Sequence, residues 1–313
     1  MCLTAIMSVA PVYTGRFAPS PTGPLHFGSL LAALASYLDA RSHQGRWLVR
    51  IEDLDPPRED PSAASQILHI LEAYQLHWDG EVRYQSQRQP AYQQALEQLI
   101  TQQQAFPCAC SRKQLAGRLH LGRCVLPATH QQQQDFAWRF ASGSGQSCFD
   151  DALQGHYCEQ LELDIGDFVI KRRDGPWSYQ LAVVVDDADQ QISHVVRGID
   201  LIDSTIRQRC LQQALGYRQP HYAHIPVALE ANGQKLSKQN LAQPLLPDDS
   251  GNTLWLALDW LQQAPPATLK NAGNQAVLNW AIDHWQLSAL QGLRQQPAPA
   301  ERQRPAASPH QPN

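Results

Sequence analysis

The chain has 313 residues, enough for one large or two modest domains with a substantial core. Hydrophobic residues make up 43% and charged residues 17%, the balance of a soluble globular protein. The net charge of −4 excludes a globally basic surface, so any RNA contact has to use local basic patches.

Met1 to Ala10 is mildly apolar but lacks a basic flank and a long apolar run, which argues against a signal peptide. No stretch is long and apolar enough to span a bilayer. Seven cysteines without an export signal point to a reducing cytoplasm, with thiols serving as metal ligands or core residues. Tyr13 to Ala18 reads as a buried strand, which Pro19, Pro21, Gly23 and Pro24 cannot continue. Leu30, Leu31, Leu34, Tyr37 and Leu38 then recur at helical spacing through Ala40. His26 and Ser29 therefore fall at a helix N-terminus, where free N–H groups and the helix dipole favour a polyphosphate. A histidine there can donate to phosphate oxygens, or be an ordinary solvated side chain. Gly28 leaves room for a nucleotide to lie against the backbone.

Arg46 to Ile51 is a second strand, making a βαβ unit. In open parallel sheets the ligand crevice lies outside the carboxyl ends of the strands, where Arg16, His26 and Glu52 would meet. Glu52 also fits a capping or surface acid. Pro61 to Gln75 and Ala91 to Gln104 read as helices, and residues 106–163 carry a cysteine cluster among loops. Phe168 to Arg172 and Trp177 to Leu181 flank Arg173-Asp174-Gly175-Pro176, a hairpin signal, and Ala182 to Val185 continues as a buried run. His194 to Arg197 is the next strand, and Ser204 or Thr205 can cap a helix to Leu215. Ile225 to Leu229 precedes a tight turn at Ala231 to Gly233. Thr253 to Gln263 and Asn274 to Trp285 read as helices. From Gln295 onward Pro, Gln, Ala and Ser dominate, which predicts a disordered tail.

Cys108, Cys110 and Cys124 are three soft thiolates suited to zinc, which wants a fourth ligand. His120 lies four residues before Cys124, a spacing that would put both on one face of a helix. Buried thiols without a metal also fit this loose spacing. Cys2, Cys148, Cys158 and Cys210 have no such company and read as core or unrelated thiols.

The run from Arg16 to Ser29 (Arg-Phe-Ala-Pro-Ser-Pro-Thr-Gly-Pro-Leu-His-Phe-Gly-Ser) resembles the HIGH-type signature of class I aminoacyl-tRNA synthetases in its glutamyl form, with Ser29 at the second His. Lys235-Leu236-Ser237-Lys238 resembles the KMSKS loop of the same enzymes. Lys238 matches the lysine that neutralises the triphosphate, and Gln239 stands where many glutamyl enzymes carry Arg. Asp167 to Asp187 and His194 to Gly198 track the same pattern, so the resemblance runs from Gly15 to Asn240 in order.

The resemblance implies an α/β fold: a Rossmann-type class I catalytic core with a zinc-bearing insertion and a short helical C-terminal part. Residues 1–105 would be the first half of the core, 106–165 the zinc-bearing subdomain, 166–240 the second half, 241–294 the helical region and 295–313 the disordered tail. It further implies that Arg16, Ser20, Glu52, Tyr179 and Arg197 line a glutamate site. Pro19, His26, Gly28, Ser29, Lys235, Ser237 and Lys238 would line an ATP site, with His26 and Lys238 catalytic and Mg²⁺ accompanying ATP. Two arginines can take the two carboxylates of L-glutamate, and Glu52 its ammonium; which arginine holds which carboxylate stays open.

A full glutamyl enzyme carries a large helical anticodon-binding region after this loop, and here only residues 241–313 follow. That points to the glutamyl-Q tRNA(Asp) synthetase family, truncated paralogues that load glutamate onto queuosine in tRNA(Asp). In these relatives a Tyr stands at the place of His120, a departure that leaves zinc ligation intact. The expected partners are L-glutamate, ATP and queuosine-containing tRNA(Asp), with no membrane and a monomeric state. Lys171, Arg172 and Arg173 are candidates to track RNA phosphates. The alternatives are a trimmed glutamyl-tRNA synthetase that charges the acceptor end, and a non-catalytic RNA-binding paralogue.

Overall fold

The computed structural model describes residues 12–126, 128–133, 135–236 and 243–302. Met1 to Ala10, Ser237, Lys238 and Gln239 lie outside the described residues, as does the tail from 303 on.

β1 (Thr14–Phe17) leads through the proline-rich turn into α1 (Phe27–Ser42), and β2 (Arg46–Ile51) returns parallel to β1. α2 (Ala63–Ala73), β3 (Arg83–Tyr84) and α3 (Gln89–Thr101) follow, with β3 parallel to β2. β4 (Ala105–Cys108), the short turns α4 (Arg112–Leu115) and α5 (Ala128–Gln132), and β5 (Ala137–Phe140) come next. β6 (Gln146–Asp151) and β7 (Gly155–Gln160) form a hairpin, and β8 (Phe168–Lys171) closes an antiparallel sheet in the order β4-β5-β8. α6 (Tyr179–Asp189), β9 (His194–Gly198), α7 (Ile202–Leu215) and β10 (His221–Ile225) complete the core. β11 (Val227–Leu229), α8 (Ser250–Trp260), α9 (Asn274–His284) and β12 (Gln295–Pro297) finish the described chain.

β9 and β10 are parallel, and the backbone N–H of Ser193 donates to the Thr14 carbonyl at 2.9 Å, which lays β9 alongside β1. Helices cover both faces of this mostly parallel sheet, the doubly wound arrangement. Strand alternation decides which side chains meet which helices. Trp47, Val49 and Ile51 pack with α1, α8 and α9, whereas Leu48 packs with α3, α6 and α7. On β10, Ala223 and Ile225 join the first cluster and Tyr222 the second. The same parity turns Arg16, Arg50, Arg197 and His224 toward the α6 face.

Four expectations change. The second half of the expected hairpin is not a strand: only Trp177 bridges back to Lys171, and α6 starts at Tyr179 behind the N-cap Ser178. Leu181 to Val185 is apolar all round because that helix is buried all round, so periodicity cannot separate it from a buried strand. Residues 106–165 do not all form a separate insertion. β6 pairs with β10 at Asp151 and Tyr222 and extends the central sheet: the Ala152 N–H donates to the Tyr222 carbonyl at 2.9 Å, and Asp151 Oδ1 accepts the backbone N–H of His224. The expected tail begins later than Gln295: β12 pairs parallel with β11, and Arg302 is buried. Cys148 and Cys158, which no motif links, are cross-strand partners on β6 and β7 and form a disulfide. Among the described residues no helix is long and apolar enough to cross a membrane.

Candidate active site and metal centre

A cavity of about 500 Å³ opens at the carboxyl ends of β1, β2 and β9. Arg16, Pro19, Ser20, His26, Gly28, Ser29, Glu52, Tyr179, Arg197 and Lys235 all line it, so the structure brings together every described residue expected for the glutamate and ATP sites. Ser237 and Lys238 lie outside the described residues.

Backbone contacts set this crevice. The N–H of Glu52 donates to the Pro19 carbonyl at 3.0 Å, tying the proline turn to the end of β2. His26 is the N-cap of α1, and its Nδ1 accepts the Ser29 N–H at 3.3 Å. With Nδ1 accepting, the neutral ring carries its proton on Nε2, the nitrogen suited to donate to a ligand. Gly28 answers to that ring: a Cβ there would sit 3.1 Å from His26 Cε1, so the glycine makes room for the capping imidazole.

Arg16 is 4% exposed, and its Nε donates to Asp187 Oδ1 at 3.4 Å. Arg50, fully buried, donates to the same oxygen at 2.7 Å and to Glu52 Oε1 at 3.3 Å. Burial pushes the Asp187 carboxyl up, but Arg50 and Arg16 outweigh it and hold the group below the usual carboxylate range. Burial pushes Glu52 up, opposed by Arg50 and Arg16. Burial likewise raises the Tyr179 phenol, which therefore stays neutral.

Arg197 is held differently, mostly by neutral groups. Its Nε donates to His224 Nε2 at 3.1 Å, Nη2 to Thr205 Oγ1 at 2.8 Å, and Nη1 to Tyr179 Oη at 3.3 Å. Sequence reasoning missed Arg50, Asp187, Thr205, His224 and Asp151. The signal for His224 was available: in the parallel register of β10 on β9 it stands opposite Arg197. Thr205, expected as a possible cap, lies inside α7, which begins at Ile202.

The second constellation is the cysteine cluster. Donor atoms of Cys108, Cys110, His120 and Cys124 all lie within 4.8 Å of one another. His120 Nε2 is 3.2 Å from Cys108 Sγ and 3.0 Å from Cys124 Sγ, and Cys110 Sγ is 3.4 Å from Cys124 Sγ. No helix joins His120 to Cys124; an irregular loop brings them together instead. Three thiols and an imidazole at such spacings fit a tetrahedral zinc site. His120 Nδ1 is 3.3 Å from Asp167 Oδ2, the carboxylate that typically orients a metal-bound imidazole. Burial and the neighbouring thiols push the Cys124 thiol up to about 12, a penalty a cation would remove.

The basic run from Lys171, at the end of β8, to Arg173 is engaged within the fold. Arg172 pairs with Asp174 at 2.6 Å, Arg173 with Asp135 at 3.2 Å, and the Lys171 ammonium sits 4.3 Å from the Trp177 ring centroid.

Residues 12–247 match the family model of class I tRNA synthetases (E and Q), catalytic domain. With the doubly wound sheet and the crevice at its carboxyl edge, that defines the class: a class I aminoacyl-tRNA synthetase catalytic unit, a ligase. More narrowly, the chain belongs to the glutamyl-Q tRNA(Asp) synthetase family. It is 50% identical over 290 residues to the glutamyl-Q tRNA(Asp) synthetase of Dechloromonas aromatica, spanning 89% of this chain and 95% of that protein. The like-named protein of Pseudomonas aeruginosa is 49% identical over 280 residues, spanning 89% and 95%. Among solved structures, a glutamate tRNA ligase from Elizabethkingia meningosepticum, in complex with its amino acid, shares the fold. Its TM-score is 0.76 at 23% identity, covering 93% of this chain and 68% of that one.

Proposed function

We propose that the chain activates L-glutamate with ATP, without needing tRNA for that step, and transfers the glutamyl group to queuosine in the anticodon loop of tRNA(Asp). The observation that carries this reading is the gathering of Arg16, Glu52, Tyr179 and Arg197 around one cavity, beside a histidine-capped helix N-terminus. The names of the relatives support the acceptor.

Glutamate offers two carboxylates and an ammonium. Arg16 and Arg197 each take a carboxylate, and Glu52 takes the ammonium, whose charge counters the burial that raises the Glu52 carboxyl. The α-carboxylate oxygen attacks the α-phosphorus of ATP, and the bond to the departing pyrophosphate breaks. An acceptor hydroxyl then attacks the glutamyl carbonyl carbon, and AMP leaves. No protein nucleophile is needed, because the carboxylate is already ionised at pH 7. His26 Nε2, the α1 N-terminus, Lys235 and Lys238 stabilise charge on the phosphates. Mg²⁺ bound with ATP supplies further charge neutralisation. Cys108, Cys110, His120 and Cys124 hold one structural Zn²⁺ that fixes the loop from residue 108 to 124. The same reading takes the enzyme as a cytoplasmic monomer.

The deciding experiment offers the protein ATP, labelled glutamate and one of three RNAs: queuosine-containing tRNA(Asp), tRNA(Asp) from cells unable to make queuosine, and tRNA(Glu). Label on the queuosine nucleotide of the first alone is the expected result. Label at the 3′ end of tRNA(Glu), or equal labelling of both tRNA(Asp) samples, would overturn the acceptor assignment.

A further inference from the structure

Of the five N–H groups on the Arg197 guanidinium, four point at described residues. Nε donates to His224, one Nη1 hydrogen to Tyr179, and the two Nη2 hydrogens to Thr205 and to the Leu201 carbonyl at 3.3 Å. A single Nη1 hydrogen remains, on a side chain that lines the cavity. The direction of that last donor depends on the group behind it.

That group is a buried dyad. His224 and Asp151 are both fully buried in their side chains, and His224 Nδ1 lies 2.6 Å from Asp151 Oδ2. Asp151 Oδ1 is occupied on its other side by three backbone N–H groups, of Leu153 at 3.0 Å, Gln154 at 3.0 Å and His224 at 3.2 Å. A carboxylate so fixed can only accept from Nδ1, which settles the proton on Nδ1 and leaves a lone pair on Nε2. Arg197 Nε–H is aimed at that lone pair. Thr205 Oγ1 lies 3.2 Å from the same nitrogen, and Tyr222 stacks 6.1 Å away. Burial and the Arg197 charge both disfavour a second proton on the ring, although Asp151 favours it, and the imidazole stays below its ordinary value.

We propose that Asp151 and His224 are positioning residues for amino-acid recognition: Asp151 sets the tautomer of His224, and His224 Nε2 then orients Arg197 so that its remaining N–H meets a substrate carboxylate. This rests on the reading of the cavity as the glutamate site. Neither residue touches the substrate. The dyad acts as an internal buttress, reaching the crevice from β6 through β10 to β9.

Asp151→Asn gives a sharp test. The introduced amide keeps its carbonyl oxygen on the three backbone N–H groups and must turn its NH₂ toward His224. The ring then accepts at Nδ1 and carries its proton on Nε2, directly against Arg197 Nε–H. The KM for glutamate should rise about tenfold or more, the loss of one hydrogen bond to a charged group, while the KM for ATP holds. His224→Gln, whose carbonyl can still accept from Arg197, should retain more glutamate affinity than His224→Ala. Independently of activity, ¹⁵N NMR of the wild-type imidazole should report the Nδ1–H tautomer of His224, and the Nε2–H form in Asp151→Asn. An Nε2–H or doubly protonated His224 in the wild type at pH 7.5 overturns the proposal. So does an unchanged glutamate KM in both Asp151→Asn and His224→Ala. Failure of the wild type itself to activate glutamate would instead overturn the reading of the cavity, a result separate from the tautomer measurement.

Discussion

The crevice and the cysteine cluster both bring distant side chains within bonding distance, and they do it by different means. In the crevice, Arg16, Arg50, Arg197 and His224 come from four strands whose parallel registers are set by backbone hydrogen bonds. In the cluster, Cys108 ends a strand, but Cys110, His120 and Cys124 sit in irregular chain. Leu119, Leu121 and Val125 along that loop are exposed, Val125 at 97%, so little apolar burial holds it. The crevice is built by the core. The cluster has no such core, and on the proposed reading a zinc ion organises it. Flexibility and metal dependence should therefore concentrate in the loop, and pH dependence in the crevice.

The largest effect should come from removing the organiser of the loop. Cys108→Ser with Cys124→Ser should abolish zinc binding, which elemental analysis of the purified protein reads as a fall from one zinc per chain to none. Structural zinc contributes about 10–16 kcal/mol of apparent binding energy in zinc-finger peptides, so the loop should lose protection from hydrogen exchange altogether. Glutamate-dependent pyrophosphate exchange should fall far less, since the activation residues lie outside the cluster. Equal losses in both would collapse the distinction between the two regions.

Asp187→Asn should come next. It leaves Arg16 and Arg50 facing each other without their shared carboxylate, and breaking a buried pair costs about 3–5 kcal/mol. Urea unfolding at pH 7 measures this. The pH course carries a sign. The folded-state carboxyl is held low, so its stabilisation is present above about pH 4 and is lost as pH falls through the lowered folded value. The gap between wild type and variant should close in that acid range and stay constant above it.

His26→Ala removes the α1 cap and, on the proposed reading, a phosphate donor with it. Activation should drop mainly in kcat, by about 2.7–4 kcal/mol of transition-state stabilisation. The smallest expected effect is Gly28→Ala. The added Cβ meets the His26 ring at 3.1 Å and should displace it, costing about 1–3 kcal/mol of overpacking. The KM for ATP should rise with little change in the KM for glutamate. If Gly28→Ala matched His26→Ala in rate, the glycine would itself contact substrate and the account of its role would be wrong.

Much of the crevice is legible in sequence, because the turn after β1 combines prolines, a glycine and a histidine that physics confines to a helix start. Glu52 is legible from its place just past β2. Arg50, Asp187, Asp151 and His224 are not, because their roles depend on strand parity and register across segments far apart in the chain. Tyr179 is found by resemblance, yet its element is misread, since an all-apolar buried helix shows no amphipathic period. The cluster ligands are legible from residue type alone. The loop that joins them is not, because nothing in a spacing of four distinguishes a helix from an irregular coil.

β12 has a practical meaning. Its composition suggests an expendable end, but Gln295 to Pro297 bonds to β11, the strand that runs into the Lys235 segment, and Arg302 reaches Asp249 and Thr253 at the start of α8. The last described residues thus clasp β11 to the start of α8. An expression tag or truncation cut before Arg302 would open that clasp. Fusion partners and surface-immobilisation handles belong beyond Arg302.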